Sequence, residues 1–179
     1  MTVSSVLFVL DLSLSLSGSP IGILYNHMME LMDSLERHED LMADVLMMGT
    51  GDDGEGCQWL CNGMCPIADV RGALSEFRAM GHTPLMKAVE EVAGRVAALD
   101  DPTKTAVVFI TDGQVGFTTA GEMADAVSGC LRGCHRMVLL VGFNHDEDVM
   151  VALASSERMV FGDTNSVSSV MDRLVGGWP

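Results

Sequence analysis

Apolar runs of strand type and apolar stripes of helix type take turns along this chain. Residues 6–10 (VLFVL) form a short continuous apolar run, as in a strand covered on both faces. The segment DLSLSLSGSP at 11–20 then alternates leucine with serine. Pro20 suits a first helical position behind Ser19, and Leu24, Met28, Leu31, Met32 and Leu35 recur with helical period. Residues 36–40 are the polar end of that helix. A second apolar run at 43–48 leads into the acidic, glycine-rich turn GTGDDGEG. CQWLC at 57–61 reads as a short edge strand.

The second half continues the alternation. Residues 68–80 predict a helix with Val70, Leu74 and Phe77 inward and Gly81 as its stop. Thr83-Pro84 is a start signal, Thr as N-cap and Pro in the first turn, for a helix with the stripe Leu85, Ala88, Val89, Val92 and Val96. Asp101-Pro102 follows it, and AVVFI at 106–110 is the clearest buried strand. After the loop TDGQVGFTTAG, Met123, Val127, Cys130, Leu131 and Cys134 mark another helix. A strand at 137–141, a short helix at 146–153, a short strand at 159–161 and a helix at 167–175 complete the pattern. Buried strands alternating with helices imply a parallel sheet with helices on both faces. Residues 1–176 are expected to form one domain and 177–179 a short tail, and no internal repeat is visible.

Composition narrows the classes of function. Hydrophobic residues make up 48% of the 179 positions and charged residues 20%, a globular balance. Ten Lys and Arg against 25 Asp and Glu give a net charge of −15. That disfavours nucleic acid, which needs a basic face, and anionic membrane. It is compatible with basic protein partners or cations. The first apolar run lacks a basic flank and stops at Asp11, so no targeting signal is expected. Five cysteines, an odd number, fit reduced thiols and a cytoplasmic location. The 15 methionines read as core filling.

Three loops carry oxygen-bearing residues at the places where an open α/β sheet binds ligands, beyond the carboxyl ends of its strands. The first holds Asp11, Ser13 and Ser15, the second Thr83, the third Asp112. Carboxylates and hydroxyls are hard donors suited to Mg²⁺, Mn²⁺ or Ca²⁺ rather than zinc. In an extended loop, residues two apart point the same way, so Asp11, Ser13 and Ser15 can converge while Leu10, Leu12 and Leu14 turn away.

DLSLS at 11–15, GHTPL at 81–85 and FITDG at 109–113 together resemble the metal-ion-dependent adhesion site of von Willebrand factor A domains. Order, placement and chain length all agree, and the resemblance spans essentially the whole chain. It implies a three-layer, doubly wound, Rossmann-like α/β fold whose sheet is mostly parallel with one short antiparallel edge strand. It also implies that Ser13, Ser15 and Thr83 coordinate Mg²⁺ (or Mn²⁺ or Ca²⁺) through hydroxyls, with Asp11 and Asp112 acting mostly through water. An open coordination position then takes a carboxylate from a partner protein, and the metal bridges two proteins rather than catalysing. Stand-alone bacterial or phage members of the family often work beside kinases, phosphatases, AAA ATPases or stress-response proteins.

The chain departs from the family pattern at two positions: Leu14 stands where Gly is usual, and Leu16 where Met is frequent. Leu14 needs ordinary backbone angles, and an exposed Leu16 would offer apolar contact to a partner. The expected partner rim is Leu14, Leu16, Ser17, His82, Gly113 and Gln114, within specificity loops at 14–19, 51–57, 81–83 and 113–119. The partner is expected to present an Asp or Glu set among basic residues, because the −15 charge would otherwise slow encounter.

Plainer readings stand beside these. Asp11 alone could cap a turn, Thr83 a helix, and Asp112 could form a turn before Gly113. His82 reads first as a solvated loop histidine, and GDDGE as a solvated loop. Cys57, Cys61 and Cys65 leave open a zinc site or simple thiols, although C-x₃-C is not knuckle spacing and no fourth ligand is evident. Cys130 and Cys134 read as core thiols on their helix, beside His135. An aspartate-nucleophile phosphatase would use Asp11, but it needs a second acid where Ser13 stands and an assisting lysine; Lys87 lies inside a helix. A binding module is therefore expected, with a hydrolase or a structural subunit with a vestigial metal site as alternatives.

Overall fold

The computed structural model describes residues 3–75, 77–114, 116, 118–142, 145–162 and 166–176. The tail expected at 177–179 lies outside them. The apolar runs become strands: β1 (Ser5–Asp11), β2 (Met42–Thr50), β3 (Gly56–Trp59), β4 (Cys65–Pro66), β5 (Thr105–Thr111), β6 (His135–Leu140) and β7 (Val160–Phe161). They form one sheet in the order β3-β2-β1-β5-β6-β7, with β4 also paired to β2. β1 pairs in parallel with β2 and β5, β5 with β6, and β6 with β7. β3 and β4 run antiparallel to β2. The antiparallel edge is thus two short strands, the second only two residues long.

Among the described residues six helices cover the sheet: α1 (Ser19–Leu35), α2 (Ile67–Ala73), α3 (Leu85–Ala97), α4 (Ala120–Cys130), α5 (Glu147–Leu153) and α6 (Ser166–Gly176). α1 packs with α2 and α6, whereas α4 packs with α3 and α5, giving a layer on each side. The predicted stripes face inward: Leu24, Met28, Leu31, Met32 and Leu35 of α1, and Leu85, Ala88, Val89, Val92 and Val96 of α3, are buried. Every residue of β5 is buried, and so is β1 after its first residue. This is the environment that makes a parallel strand read as an unbroken apolar run. The result is a three-layer α/β fold. Among the described residues no helix is long and apolar enough to cross a membrane.

Three local expectations are corrected. The helix expected over 68–80 ends at Ala73, and Leu74 is already extended at ψ 129°. Met80 and Gly81 are pulled into the sheet end instead: Met80 N–H donates to Leu12 O at 2.8 Å and Leu14 N–H to Gly81 O at 2.8 Å. Tertiary pairing overrides helical periodicity here. Gly81 therefore stops no helix. A Cβ on it would lie 2.4 Å from the carbonyl oxygens of Gly49 and Gly54, so glycine is what lets three backbones meet.

The helix expected to reach Cys134 closes at Cys130. Gly133, at φ 95°, turns the chain into β6. Cys130 is consequently exposed, and Cys134 is buried in the turn rather than on a helical stripe. Finally, Thr83 makes no capping hydrogen bond; α3 begins at Leu85, and its first turn is closed by Pro84 O, which accepts from Ala88 N–H at 2.9 Å.

Candidate metal centre at the sheet end

β1 and β5 are neighbours, with Leu10 opposite Ile110, so both chains leave the sheet side by side. Asp11 ends one and Thr111-Asp112 the other. Asp11 is fully buried and both of its oxygens are occupied. Oδ1 accepts the Ser13 N–H at 2.9 Å, and Oδ2 accepts the Thr111 hydroxyl at 2.6 Å. Thr111 Oγ1 in turn accepts the Gly113 N–H at 3.0 Å. Burial pushes the Asp11 carboxyl up from its ordinary value, the hydrogen bonds from Thr111 and Ser13 oppose that, and the Asp112 charge adds to it.

After Asp11 the chain stays extended through Ser13, which bridges in parallel to Gly81. Residues Leu14–Leu16 then form a single 3₁₀ turn, with Leu16 N–H bonded to Ser13 O at 3.1 Å. The hydroxyls of Ser13 and Ser15 lie 2.8 Å apart. The turn breaks the leucine–serine alternation. Leu14 is 58% exposed, but Leu16 is fully buried in the core, so Leu16 is not part of an apolar rim.

The Ser13–Gly81 bridge also draws the 80–83 segment to the same edge. An open cleft of about 900 Å³ results, lined by Ser13 and Ser15 on one side and Thr83 and Met86 on another. Leu14, His82 and Gln114 line it too. Ser17 is exposed outside this lining. Gly113 is buried, and a Cβ there would lie 2.4 Å from the His145 Cβ, so it shapes the loop and offers no contact surface.

Asp112 is 5% exposed. Its Oδ1 accepts the Gln114 N–H at 3.0 Å, while its buried Oδ2 has no hydrogen-bond partner. A buried, unsatisfied carboxylate oxygen costs free energy unless a cation or donor meets it. The Ser13, Ser15 and Thr83 hydroxyls line the cleft and the two carboxylates end β1 and follow β5; oxygens of these kinds are hard donors.

Several cleft residues carried no sequence signal. Thr111 looked like the last residue of a strand, yet it orients Asp11. Glu55 belongs to the acidic turn after β2, Met86 to α3, Glu122 to α4 and Thr118 to the loop before it; all four line the cleft. Glu55 Oε1 lies 3.8 Å from His82 Nε2, and Lys87 Nζ donates to Glu55 O at 3.1 Å. Lys87 thus ties down the 51–55 loop from α3. Glu122 also closes a capping box with Thr119, whose N–H and hydroxyl hold its carboxyl below the ordinary range. Among the described residues, no three His, Cys, Asp or Glu side chains converge as metal ligands, Cys57, Cys61 and Cys65 included.

Strand order, helices on both faces and oxygen donors at the carboxyl end of β1 and β5 define a von Willebrand factor A-like fold. Solved structures agree. A von Willebrand factor type A protein from Catenulispora acidiphila superposes with a TM-score of 0.73 over 96% of this chain and 41% of its own, at 12% identity. Proximal thread matrix protein 1 from the mussel byssus, with a zinc-occupied metal-ion-dependent adhesion motif, gives 0.69 over 97% of this chain and 45% of its own, at 19% identity. The pilus adhesin SpaC from Lactobacillus rhamnosus GG gives 0.70 over 97% and 30%, at 14% identity. The chain spans less than half of each of these proteins. No protein-family profile matches it, and no curated protein matches it in sequence.

Proposed function

We propose that this chain is a divalent-metal-dependent protein-interaction module. Ser13, Ser15 and Thr83 hold the cation through hydroxyls, with Asp11 and Asp112 supplying negative charge through water. Mg²⁺ is the proposed ion, with Mn²⁺ or Ca²⁺ as substitutes. When bound, the cation supplies Lewis acidity toward a carboxylate of the partner, and neutral hydroxyl ligands leave most of its charge available for that contact. The chain's own residues do the rest. Thr111 and the Ser13 N–H fix Asp11, and the Ser13–Gly81 bridge sets Thr83 across the cleft. The observation that supports this reading is the buried, unpartnered Oδ2 of Asp112 at the end of β5, together with the Ser13 and Ser15 hydroxyls that lie 2.8 Å apart after β1.

Binding is favoured over hydrolysis by the state of Asp11. A nucleophilic carboxylate needs an accessible oxygen, and Asp11 is buried with both oxygens accepting hydrogen bonds. Lys87, the assisting cation such an enzyme would need, is engaged with Glu55. Adhesin and matrix proteins among the structural neighbours are in keeping with an interaction role. The partner is proposed to present an Asp or Glu within a basic surface, complementary to the −15 charge. A pull-down in Mg²⁺ and in chelator, with Thr83→Ala as control, tests this. Capture that needs Mg²⁺ and Thr83 supports the reading, and capture unchanged in chelator contradicts it.

A further inference from the structure

The segment 61–65, Cys-Asn-Gly-Met-Cys, leaves the end of β3 and returns as β4, and both strands lie on β2. Cys65 stands opposite Ala43 in the β2 register. The next β2 residue, Asp44, accepts the Cys61 N–H on Oδ1 at 3.1 Å, and Leu60 N–H donates to Val45 O at 2.8 Å. Successive positions of one strand therefore hold the two cysteines side by side. Gly63, at φ 142°, folds the loop back between them. The Cys65 thiol neighbours the Cys61 thiol and donates to Gly63 O at 3.4 Å. Both cysteines are partly exposed. Cys57 differs, because its thiol faces Lys87 and Glu91 on α3.

We propose that Cys61 and Cys65 are a reversible disulfide site that clasps the end of β3 to β4. The oxidant is a low-molecular-weight disulfide. The Cys65 thiolate attacks one of its sulfurs, the small S–S bond breaks, and one small thiolate leaves and takes up a proton. The Cys61 thiolate then attacks the Cys65 sulfur of the mixed disulfide and expels the second small thiol. The two protein thiols lose two protons and two electrons, and the oxidant is reduced to two thiols. Burial pushes the Cys61 thiol up to about 11, and the adjoining Cys65 adds to it.

Met64 lies between the two cysteines, so cleavage at methionine separates them into fragments 49–64 and 65–80. The full chain is equilibrated with oxidised glutathione, alkylated, resolved as monomer without reductant, and cleaved with cyanogen bromide. The fragments should stay joined in the wild type and in Cys57→Ser, come apart with reductant, and be separate in Cys61→Ser. Oxidation should also raise the melting temperature of the wild type by a few degrees, and not that of Cys61→Ser. Fragments that separate in the oxidised wild type, glutathione retained on Cys65, or a link that depends on Cys57 would each overturn the proposal.

Discussion

The hydroxyl of Thr111 donates a 2.6 Å hydrogen bond to Oδ2 of Asp11, joining the ends of β1 and β5 across 100 positions of sequence. The bond is buried and charge-assisted, and it sets the rotamer of the one carboxylate whose other oxygen is held by Ser13 N–H. Thr111→Val keeps the shape and removes the donor. Outer-shell losses of this kind weaken metal binding about 10- to 100-fold. Calorimetric titration with Mn²⁺ should show that weakening, with Thr111→Ser recovering most of it. Unaltered affinity in the valine variant would mean that Asp11 needs no such support.

Leu14 and Leu16 are two residues apart and have opposite roles. Leu14 is exposed on the cleft and Leu16 is fully buried. Leu16→Ala should lower unfolding free energy by about 2–5 kcal/mol, the usual range for emptying a buried leucine site. Leu14→Ala should stay within about 0.5 kcal/mol while weakening partner capture. Urea denaturation of both variants separates the two effects, and equal losses would contradict the assigned burial.

Gly81 and Gly72 make a second contrast. Gly81→Ala forces a methyl against the backbone oxygens of Gly49 and Gly54. It should cost about 2 kcal/mol or more and weaken cation binding, since Thr83 follows two residues later. Gly72, within α2, has open space around its Cβ position. Gly72→Ala should be stabilising by about 0.5 kcal/mol. Thermal unfolding of the two variants reads the difference directly.

Asp44 is buried in β2 beside Arg95, whose Nη1 lies 3.2 Å from Oδ2 and whose guanidinium sits 4.3 Å from the centre of the Trp59 ring. Burial pushes the Asp44 carboxyl above its ordinary 3.8, outweighing the N–H bonds from Val45 and Cys61 and the Arg95 charge. A folded-state pKa above the unfolded one favours the neutral form. That stability is fully present below the unfolded pKa and is lost as pH rises through the folded one. The wild type should therefore lose stability relative to Asp44→Asn as pH rises above the ordinary carboxylate range. The opposite slope would mean that pairing with Arg95 outweighs burial.

Much of this was legible in the sequence because parallel strands buried on both faces leave unbroken apolar runs, as at 6–10 and 106–110. Helical stripes such as Leu85 to Val96 have the same directness. Asp11 and Asp112 were legible as candidates because they sit at the ends of β1 and β5, which the alternation of elements locates. What escaped detection depends on contacts distant in sequence. The placement of Met80 and Gly81 comes from pairing with Leu12 and Leu14, and no local pattern encodes it. Thr111 reads as a strand residue until Asp11 is placed beside it. Asp44 hid inside an apolar run because its partner, Arg95, lies on α3. The two-residue β4 is too short to leave a period. Leu16 misled because a 3₁₀ turn replaced the expected extension.

Direct titration of the cation tests the central claim most sharply. Mg²⁺ or Mn²⁺ should bind the wild type with a stoichiometry of about one and raise its melting temperature in proportion to occupancy. Thr83→Ala and Ser13→Ala should lose that response while unfolding cooperatively, without metal, near the wild-type temperature. Equal binding by all three proteins, or no binding by the wild type, would contradict the account.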